Sequence, residues 1–420
     1  MEGYKINNSH IYNNDHLLEI QETAILIGQE EESMNELEKL TKTAGVKVKT
    51  SLLFRGDRIN ASFYIGTGKL QELKSIIEHH DINVVIFDNE LSPAQFRNLE
   101  EELDVKVIDR TQLILDIFAL HAQSKESKIQ VELVQLEYML PKLKGSGRNS
   151  SRLGAGIGTR GPGESKLEID RRRIQNKISK LKLDLKDIKK NRVLQRKNRN
   201  DPMIALIGYT NAGKSTLMNT LTNANTLVAD QLFATLDSTL RSTTLPFGKK
   251  VIFTDTIGFI NKLPHELIAS FSATLEEARK ADILIHVVDA SSENIEKHIN
   301  VVNDILKEME IKNKDIILLF NKKDKISTEK ITEYSIQYPN ALFISSLNKK
   351  GIDNLFSKIS ELILKNMYYV ELKLPYSKAN IVNIIHENGE MIVEEYLKDA
   401  IFIKAKVNKK IANKLQQYIV

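Results

Sequence analysis

The sequence predicts an α/β protein in which a long antiparallel helical hairpin separates two α/β parts, with a small α+β module at the C-terminus. Short apolar runs alternate with amphipathic stretches in both α/β parts, a pattern typical of βαβ units and parallel sheets. The stretch between them is rich in Lys and Arg, and its apolar residues repeat with heptad spacing, which predicts packed helices. A glycine-rich turn follows the first apolar run of the second part, as in phosphate-binding loops.

The composition is that of a globular protein, and its 420 residues predict about three domains. The absence of cysteine excludes disulfides, thiolate catalysis and cysteine-ligated zinc. The nine histidines are scattered, so a bound metal is expected to have oxygen ligands, which favours Mg²⁺. Residues 1–14 do not resemble a signal peptide, and no apolar run is long enough to span a membrane. We therefore expect a cytoplasmic protein.

The first α/β part covers residues 1–108. Four apolar runs predict strands and three amphipathic stretches predict helices, which together give a small, mostly parallel sheet. The third helix starts with Ser92 as N-cap and Pro93 in its first turn. The predicted strands are 23–27, 46–54, 84–87 and 105–108, and the predicted helices are 33–42, 69–79 and 92–102.

Residues 109–200 predict the helical hairpin. One helix is expected over 110–143 and a second over 164–199, joined by a loop at 144–163 whose seven glycines exclude a helix. We expect the two helices to pack against each other through a heptad seam. The seam residues are Leu167, Ile174, Ile178, Leu181, Leu185 and Ile188 on the second helix, with Ile114, Ile117, Val131, Val134 and Tyr138 on the first.

The hairpin also concentrates the positive charge of the chain. Residues 144–200 contain 18 Lys and Arg against 5 Asp and Glu, a net charge of +13, whereas the whole chain carries +5 and the remainder sums to −8. A compact basic block predicts an anionic partner, with nucleic acid as the first candidate. The candidate RNA contacts are Arg148, Arg152 and Arg160, which alternate with the glycines of the loop.

The second α/β part, residues 201–365, contains the strongest motif. An apolar strand at 203–207 is followed by a glycine-rich turn and a helix, which is the context of a Walker A loop and predicts a P-loop domain of the Ras-like type. Backbone N–H groups of such a loop wrap phosphates, Lys214 neutralises the β- and γ-phosphates, and Ser215 ligates Mg²⁺. The predicted phosphate-binding residues are Gly208, Tyr209, Thr210, Asn211, Ala212, Gly213, Lys214, Ser215 and Thr216.

A second motif follows the predicted strand 251–254. An acid at the end of such a strand, here Asp255, holds Mg²⁺ through water, and the N–H of Gly258 approaches the γ-phosphate. Phe259 occupies the next position and cannot orient an attacking water, so we expect slow intrinsic hydrolysis. The motif residues are Asp255, Thr256, Ile257 and Gly258.

A threonine between these two motifs is expected to ligate Mg²⁺ when the γ-phosphate is present, which orders the switch. Thr235 is our choice, with Thr239, Thr243 and Thr244 as alternatives. Catalysis should therefore depend on Lys214, Thr235 and Gly258. The predicted switch residues are Phe233, Ala234, Thr235, Leu236 and Asp237.

Recognition of guanine is predicted at two further places. Asp324 follows the strand 316–320, and its carboxylate can accept two parallel hydrogen bonds from the N1–H and the amino group of guanine. Adenine lacks this donor pair and would leave the carboxylate unpaired, so it is rejected. The residues of these two places are Asn321, Lys322, Lys323 and Asp324, then Ser345, Ser346 and Leu347 after the strand 342–344.

Taken together, these motifs resemble the HflX family of translation-factor-related GTPases. Three stretches outside the nucleotide motifs also carry the resemblance, which extends over most of the chain. They are 63–70 (FYIGTGKL), 109–118 (DRTQLILDIF) and 158–168 (GTRGPGESKLE), the last followed by the acidic and basic residues at 170–172.

The resemblance implies a cytoplasmic GTPase that uses Mg²⁺, binds the large (50S) ribosomal subunit and its 23S rRNA, and splits stalled or idle 70S ribosomes, notably under stress. It implies that the loop 144–163 reaches toward the peptidyl-transferase centre and that Ser215 and Thr235 ligate Mg²⁺. Family members without the switch glutamine are similar to this chain at Phe259, so ribosome-stimulated hydrolysis is expected. Ser346 departs from the family pattern, because alanine is common there.

Two other functions remain open at this stage. A GTPase that assists large-subunit assembly would share the same nucleotide motifs, and a regulatory switch with a protein or membrane partner would need a basic surface too. The hairpin could also be a solvated structural element, because lysines on the outside of a heptad seam are usually solvated. We expect a monomer, and the module at 366–420 carries no motif that assigns it a role.

Overall fold

A computed structural model of the chain describes residues 22–54, 59–142, 166–196, 201–222, 232–233, 235–237, 239–246, 248–262, 272–311, 314–407 and 409–420. The loop at 144–163 with Arg148, Arg152 and Arg160 lies outside these residues, and so does Ala234. Two compact units, Met1–Leu113 and Ile114–Val420, make up the chain. None of the described helices has a stretch with the length and apolar character needed to span a membrane.

The first unit contains a four-stranded parallel sheet with the strand order β2-β1-β3-β4. This confirms the predicted sheet, and every predicted boundary lies within two residues of the observed one. The strands are β1 (Thr23–Gly28), β2 (Lys47–Leu53), β3 (Val84–Phe87) and β4 (Lys106–Asp109), and the helices are α1 (Glu31–Thr43), α2 (Thr67–His80) and α3 (Pro93–Leu103).

Local sequence explains these elements. The central strands β1 and β3 are buried almost throughout, as expected for strands of a parallel sheet that is covered on both faces. The edge strand β2 alternates between exposed residues and residues that are partly or, at Leu52, fully buried. Ser92 and Gln95 form a reciprocal capping box at the start of α3, which satisfies two backbone donors that the helix itself leaves unpaired.

The single helix predicted over 110–143 is wrong. Helix α4 (Arg110–His121) ends, and α5 (Lys125–Lys142) begins after three intervening residues. Ser124 caps α5, because its Oγ accepts the N–H of Ser127 at 3.0 Å and its carbonyl accepts the N–H of Lys128 at 3.0 Å. The break lies in a polar stretch, 121–128, that contains neither Gly nor Pro to mark the end of a helix.

Helix α6 (Lys166–Arg196) packs against α5 through the predicted seam of isoleucines and leucines. The seam residues on the partner helix differ from those predicted. Val131 and Val134 are buried but do not belong to this cluster, because a neighbouring stripe spaced 4, 3 and 4 residues apart faces α6 instead. That stripe consists of Ile129, Leu133, Leu136 and Leu140, and it meets Ile174, Ile178, Leu181, Leu185 and Ile188.

The P-loop domain has a six-stranded sheet with the order β10-β9-β8-β5-β7-β6. Five strands are parallel and were predicted. The edge strand β6 is antiparallel to β7 and was missed, because none of its five residues is buried and it gives no apolar signal. The strands are β5 (Met203–Gly208), β6 (Leu240–Thr244), β7 (Lys250–Asp255), β8 (Ile283–Asp289), β9 (Asp315–Asn321) and β10 (Leu342–Phe343).

The helices of this domain pack beside the sheet over apolar cores on either side of β5. Because β5, β7 and β9 run in the same direction, the residues at their carboxyl ends share one edge of the sheet, where ligands of such folds bind. The helices are α7 (Lys214–Thr222), α8 (Ser272–Lys280), α9 (Ile295–Glu308), α10 (Thr328–Gln337) and α11 (Ile352–Lys365).

The C-terminal module has the predicted β-α-β-β-α order and forms an antiparallel three-stranded sheet with the order β11-β13-β12. Alternate residues of β11 and β13 are buried with apolar residues of the two helices in a separate core. The elements are β11 (Tyr368–Leu374), α12 (Asn380–Asn388), β12 (Gly389–Tyr396), β13 (Ile401–Val407) and α13 (Lys409–Leu415).

Candidate nucleotide site

The predicted phosphate loop connects β5 to α7, and two of its glycines are needed for the chain to make this turn. Gly208 has φ +151° and Gly213 has φ +90°. A Cβ on Gly208 would lie 2.2 Å from the carbonyl oxygen of Val287 on β8, and a Cβ on Gly213 would lie 2.3 Å from Nδ2 of Asn321. A side chain at either position would push the loop away from the sheet and from the base motif.

Lys214 follows this loop as the first residue of α7 and is buried. Its Nζ donates hydrogen bonds to the carbonyls of Gly208 at 3.1 Å and Tyr209 at 2.9 Å. Burial lowers the pKa of Lys214 to about 8, and the Asp255 carboxylate opposes part of this change. A buried cation whose hydrogen bonds go to neutral carbonyls is well suited to an anionic ligand such as a phosphate.

Three oxygen-bearing side chains from separate motifs meet next to Lys214. The hydroxyls of Ser215 and Thr235 are 2.7 Å apart, and Ser215 donates to Oδ2 of Asp255 at 2.8 Å. The other carboxylate oxygen of Asp255 is buried and has no hydrogen-bond partner among the described residues. Two hydroxyls and a carboxylate with spare acceptor capacity form a donor set that fits Mg²⁺.

The alternatives to Thr235 lie elsewhere. Thr243 and Thr244 belong to the edge strand β6, and Thr239 precedes it, with its carbonyl accepting the N–H of Asp255 at 3.2 Å. Thr235 is the threonine of this stretch whose hydroxyl the structure places against Ser215.

Burial raises the pKa of the Asp255 carboxyl group, and Lys214, Ser215 and Thr235 partly counter this.

Gly258 and Phe259 run beside the phosphate loop. Phe259 donates its N–H to the carbonyl of Gly208 at 3.1 Å, and its carbonyl accepts the N–H of Thr210 at 2.7 Å. A Cβ on Gly258 would lie 2.8 Å from Cγ2 of Thr210, so glycine is needed for this close approach. The Phe259 ring is buried in the core beneath β5, which agrees with the expectation that this side chain cannot orient water.

On the base side, the Asn321 side chain joins two loops. Its Nδ2 donates to the carbonyl of Ala212 at 2.9 Å, and its Oδ1 accepts the N–H of Ser346 at 3.0 Å and the Ser346 hydroxyl at 2.9 Å. Lys322 donates to the carbonyl of Asn211 at 2.7 Å and to Asp289 at 2.7 Å. These bonds hold the phosphate loop and the predicted base loop together.

A cavity of about 400 Å³ lies between these loops. Most predicted site residues line it, including Lys214, Thr235 and Asp324. Lys325 also lines it and was missed, although its place directly after Asp324 could have suggested it. The full lining is Thr210, Asn211, Gly213, Lys214, Ser215, Thr216, Phe233, Thr235, Thr256, Gly258, Asn321, Lys322, Asp324, Lys325, Ser346 and Leu347.

The other described site residues do not line the cavity. Asp255 contacts Ser215, which itself lines the cavity. Asp237 does not line the cavity, because its carboxylate accepts hydrogen bonds from the start of α5. The described predicted residues outside the lining are Gly208, Tyr209, Ala212, Leu236, Asp237, Asp255, Ile257, Lys323 and Ser345.

An aromatic contact that the sequence did not predict supports the loop from behind. The rings of Tyr209 and His298 stack with centroids 3.9 Å apart and an interplanar angle of 16°. The Tyr209 hydroxyl accepts the N–H of Asn261 at 2.7 Å, which joins the phosphate loop to the segment after Phe259.

Burial lowers the pKa of His286, in β8, to about 4, so it is a neutral core residue.

Comparison with known proteins gives three family models that match the chain in order. "GTP-binding GTPase N-terminal" matches residues 31–119, "GTP-binding GTPase Middle Region" matches 121–199, and "50S ribosome-binding GTPase" matches 203–322. A solved structure described as "crystal structure of SsGBP and GDP complex" is 30% identical and covers 81% of this chain and 98% of that chain, with a TM-score of 0.47.

Curated relatives match along nearly the whole length. "GTPase HflX" of Caldanaerobacter subterraneus subsp. tengcongensis is 44% identical over 95% of this chain and 94% of that protein. The proteins of the same name are 45% identical in Lacrimispora saccharolytica, over 93% and 95%, and 39% identical in Escherichia coli, over 83% of each. With these relatives and the nucleotide motifs around one cavity, the chain belongs to the HflX family of GTPases and is a GTP-hydrolysing enzyme.

Proposed function

We propose that this chain binds the 50S ribosomal subunit in its GTP-bound form and splits stalled or idle 70S ribosomes in the cytoplasm, especially under stress. Hydrolysis of GTP, stimulated by the ribosome, then releases it. The observation that carries the proposal is the net charge of +13 on residues 144–200, next to a nucleotide-binding domain in a chain that is otherwise acidic. Ribosomal RNA is the anionic partner that such a block fits.

The described part of the hairpin supports an RNA partner. On α6, Arg172, Lys180, Lys186 and other basic residues are exposed, while five isoleucines and leucines pack against α5. Two of its lysines, Lys177 and Lys182, pair with glutamates of α5 and so help to hold the helices together. We propose that Arg148, Arg152 and Arg160 extend this basic surface to 23S rRNA.

Within the nucleotide site, we propose that Ser215 and Thr235 bind Mg²⁺ directly and that Asp255 binds it through water. The three side chains are already within hydrogen-bond distance of one another, and an oxygen of Asp255 is available. Bound Mg²⁺ would neutralise charge on the β- and γ-phosphates. Lys214 and the Gly258 N–H bind the phosphates, and Asp324 binds guanine, with 345–347 beside the base.

Hydrolysis without the ribosome should be slow, because the buried Phe259 ring takes the place of a water-orienting side chain. The decisive experiment measures GTP turnover with and without purified 70S ribosomes, while light scattering follows 70S dissociation. Strong stimulation with falling scattering supports ribosome splitting. Stimulation by 50S subunits with constant 70S scattering would instead favour an assembly role, and no stimulation by either would reject the ribosome as partner.

The RNA contacts can be tested in the same assay. Replacing Arg148, Arg152 and Arg160 with alanine should reduce the salt dependence of ribosome binding, with a change in the log–log slope of up to about 3, because each lost phosphate contact releases one counterion fewer. The matched control replaces the exposed Lys330, Lys378 and Lys398, which removes the same charge elsewhere. Equal slopes for the two variants would show that net charge alone governs binding.

A further inference from the structure

The carboxylate of Asp237 joins the switch segment to the root of the hairpin. Its Oδ2 accepts the backbone N–H groups of Gln123 at 2.9 Å and Ser124 at 3.0 Å. Its Oδ1 accepts the Ser124 hydroxyl at 2.5 Å and the Ser127 hydroxyl. All of these donors lie at or just before the first turn of α5, where backbone N–H groups have no partner within the helix.

The Asp237 carboxylate therefore completes the cap of α5. Ser124 occupies the cap position and accepts the N–H of Ser127, and Asp237 binds the donors that Ser124 cannot reach. An ionised carboxylate is also favoured by the positive end of the helix dipole. Burial acts to raise the pKa of Asp237, but the hydrogen bonds from Ser124, Ser127 and Gln123 outweigh it and hold the pKa below its usual value.

A second contact joins the same two segments. Phe233 packs its ring edge against Phe118 of α4, with centroids 4.7 Å apart and an interplanar angle of 85°. Both rings are buried, and Phe233 has φ +57°, a left-handed conformation that phenylalanine rarely adopts. Such a conformation persists only where surrounding contacts hold it, so the Phe118 contact helps to fix the switch backbone.

Thr235 lies between these two anchors, and its hydroxyl contacts Ser215 in the proposed Mg²⁺ site. We propose that residues 233–237 form a clamp that links binding of the γ-phosphate to the start of α5. In this clamp, Thr235 responds to the γ-phosphate and Mg²⁺, while Phe233 and Asp237 hold α4 and α5. The GTP-bound form closes the clamp and fixes the root of the hairpin, and loss of the γ-phosphate releases Thr235 and loosens the cap.

Because binding energies are reciprocal, the clamp must act in both directions. If GTP stabilises the cap of α5, then an intact cap must increase the affinity for GTP relative to GDP by the same factor. The inference depends on GTP binding and not on the ribosome, so it can be tested with the full-length protein alone. Failure of the proposed ribosome function would leave this test unaffected.

The test uses a variant with Ser124→Ala and Ser127→Ala, which removes both hydroxyl donors to Asp237 and leaves the nucleotide motifs intact. Affinities for GDP and for a non-hydrolysable GTP analogue are measured together with amide hydrogen exchange of α5. In the native protein, the amides of Gln123 and Ser124 should exchange more slowly with the analogue than with GDP. In the variant, the analogue-to-GDP preference should fall about fivefold to thirtyfold, mainly through weaker analogue binding.

Ser327→Ala is the matched control, because Ser327 caps α10 in the same domain and touches neither the switch nor α5 among the described contacts. It should leave the analogue-to-GDP preference unchanged. An unchanged preference in the double serine variant, together with nucleotide-dependent exchange of the α5 amides as in the native protein, would overturn the clamp.

A double-mutant cycle keeps the idea testable if the serine variant is unstable. Asp237→Asn and Ser127→Ala are combined, and their effects on affinity are compared with those of the single changes. The clamp requires strong non-additivity for the GTP analogue and additive effects for GDP. Additive effects for both nucleotides would overturn it, because Asp237 and Ser127 would then not act together in the GTP-bound form.

Discussion

The first unit and the P-loop domain both contain parallel sheets, and both place a buried cation near the carboxyl ends of the strands. In the first unit, Arg110 donates to Asp88 at 2.8 Å and to Glu36, and Ser33 donates to the other oxygen of Asp88 at 2.6 Å. In the P-loop domain, the described hydrogen bonds of Lys214 go to neutral carbonyls. Its acidic neighbour, Asp255, has an oxygen without a described partner.

The difference separates a structural cluster from a binding site. In the first unit, Arg110 binds two carboxylates of the protein, so its positive charge is offset without a ligand. In the P-loop domain, burial disfavours the charged forms of both Lys214 and Asp255, as the directions of their pKa shifts show. A buried charge that lacks a full set of protein partners is available to bind a ligand of opposite charge, such as a phosphate or a metal ion.

The largest effect is expected when the Arg110 cluster of the first unit is broken. Arg110→Ala would leave Asp88 and Glu36 without their cation, so the free energy of unfolding of the first unit should fall by about 3–5 kcal/mol. Chemical denaturation measures this, and the GDP affinity should stay the same. Lys106→Ala is the control, because Lys106 forms an exposed ion pair with Glu22 and should cost about 0.5 kcal/mol. Similar losses for both variants would mean that the cluster is not structural.

The next largest effect is expected when Lys214, the cation of the nucleotide site, is removed. Lys214→Ala should reduce GTP turnover by about 10²–10³-fold, because the transferred phosphoryl group loses a positive partner. Single-turnover hydrolysis measures this loss. Lys280→Ala removes an exposed lysine of α8 that pairs with Glu276, and it should turn over GTP at the native rate. Native turnover by the Lys214 variant would rule out this lysine as the phosphate partner.

A smaller effect concerns the base. Asp324→Asn removes the charged acceptor for guanine, so the preference for GTP over ATP should fall by about 10- to 100-fold. Competition binding with the two nucleotides gives this ratio. Asp353→Asn, an exposed change at the start of α11, makes the same chemical substitution away from the cavity. Should both variants keep the native ratio, guanine must be recognised by other residues.

The smallest effect is a pH dependence. The folded pKa of Lys214, about 8, lies below the value of 10.5 for an unperturbed lysine, so the unfolded chain binds this proton more tightly. Lys214 therefore favours unfolding at neutral pH, and this effect fades as the pH rises. Between pH 8 and 9, the stability of nucleotide-free protein should rise by about 1 kcal/mol relative to Lys214→Met. Parallel pH profiles for the two proteins would contradict the shifted pKa.

Much of the fold could be predicted from local patterns. Except for the alternating edge strand β2, the strands of the first unit and the five parallel strands of the P-loop domain contain apolar runs, and glycines mark the phosphate loop. The break between α4 and α5 was missed because the signal is Ser124 and its partner Asp237, which are more than a hundred residues apart. The stacking of Tyr209 on His298 is likewise a long-range contact that no local spacing encodes.

The Asn321 side chain, which bonds to both Ala212 and Ser346, has a consequence for how the ligand is selected. This amide group and Lys322 connect the phosphate loop to the predicted base loop, so a triphosphate bound to the first loop should also help to fix the second. Guanosine alone and inorganic triphosphate alone should each bind weakly. The sum of their two binding free energies should be smaller in magnitude than the binding free energy of GTP. We therefore expect that fragments of a nucleotide compete poorly with the whole nucleotide for this site.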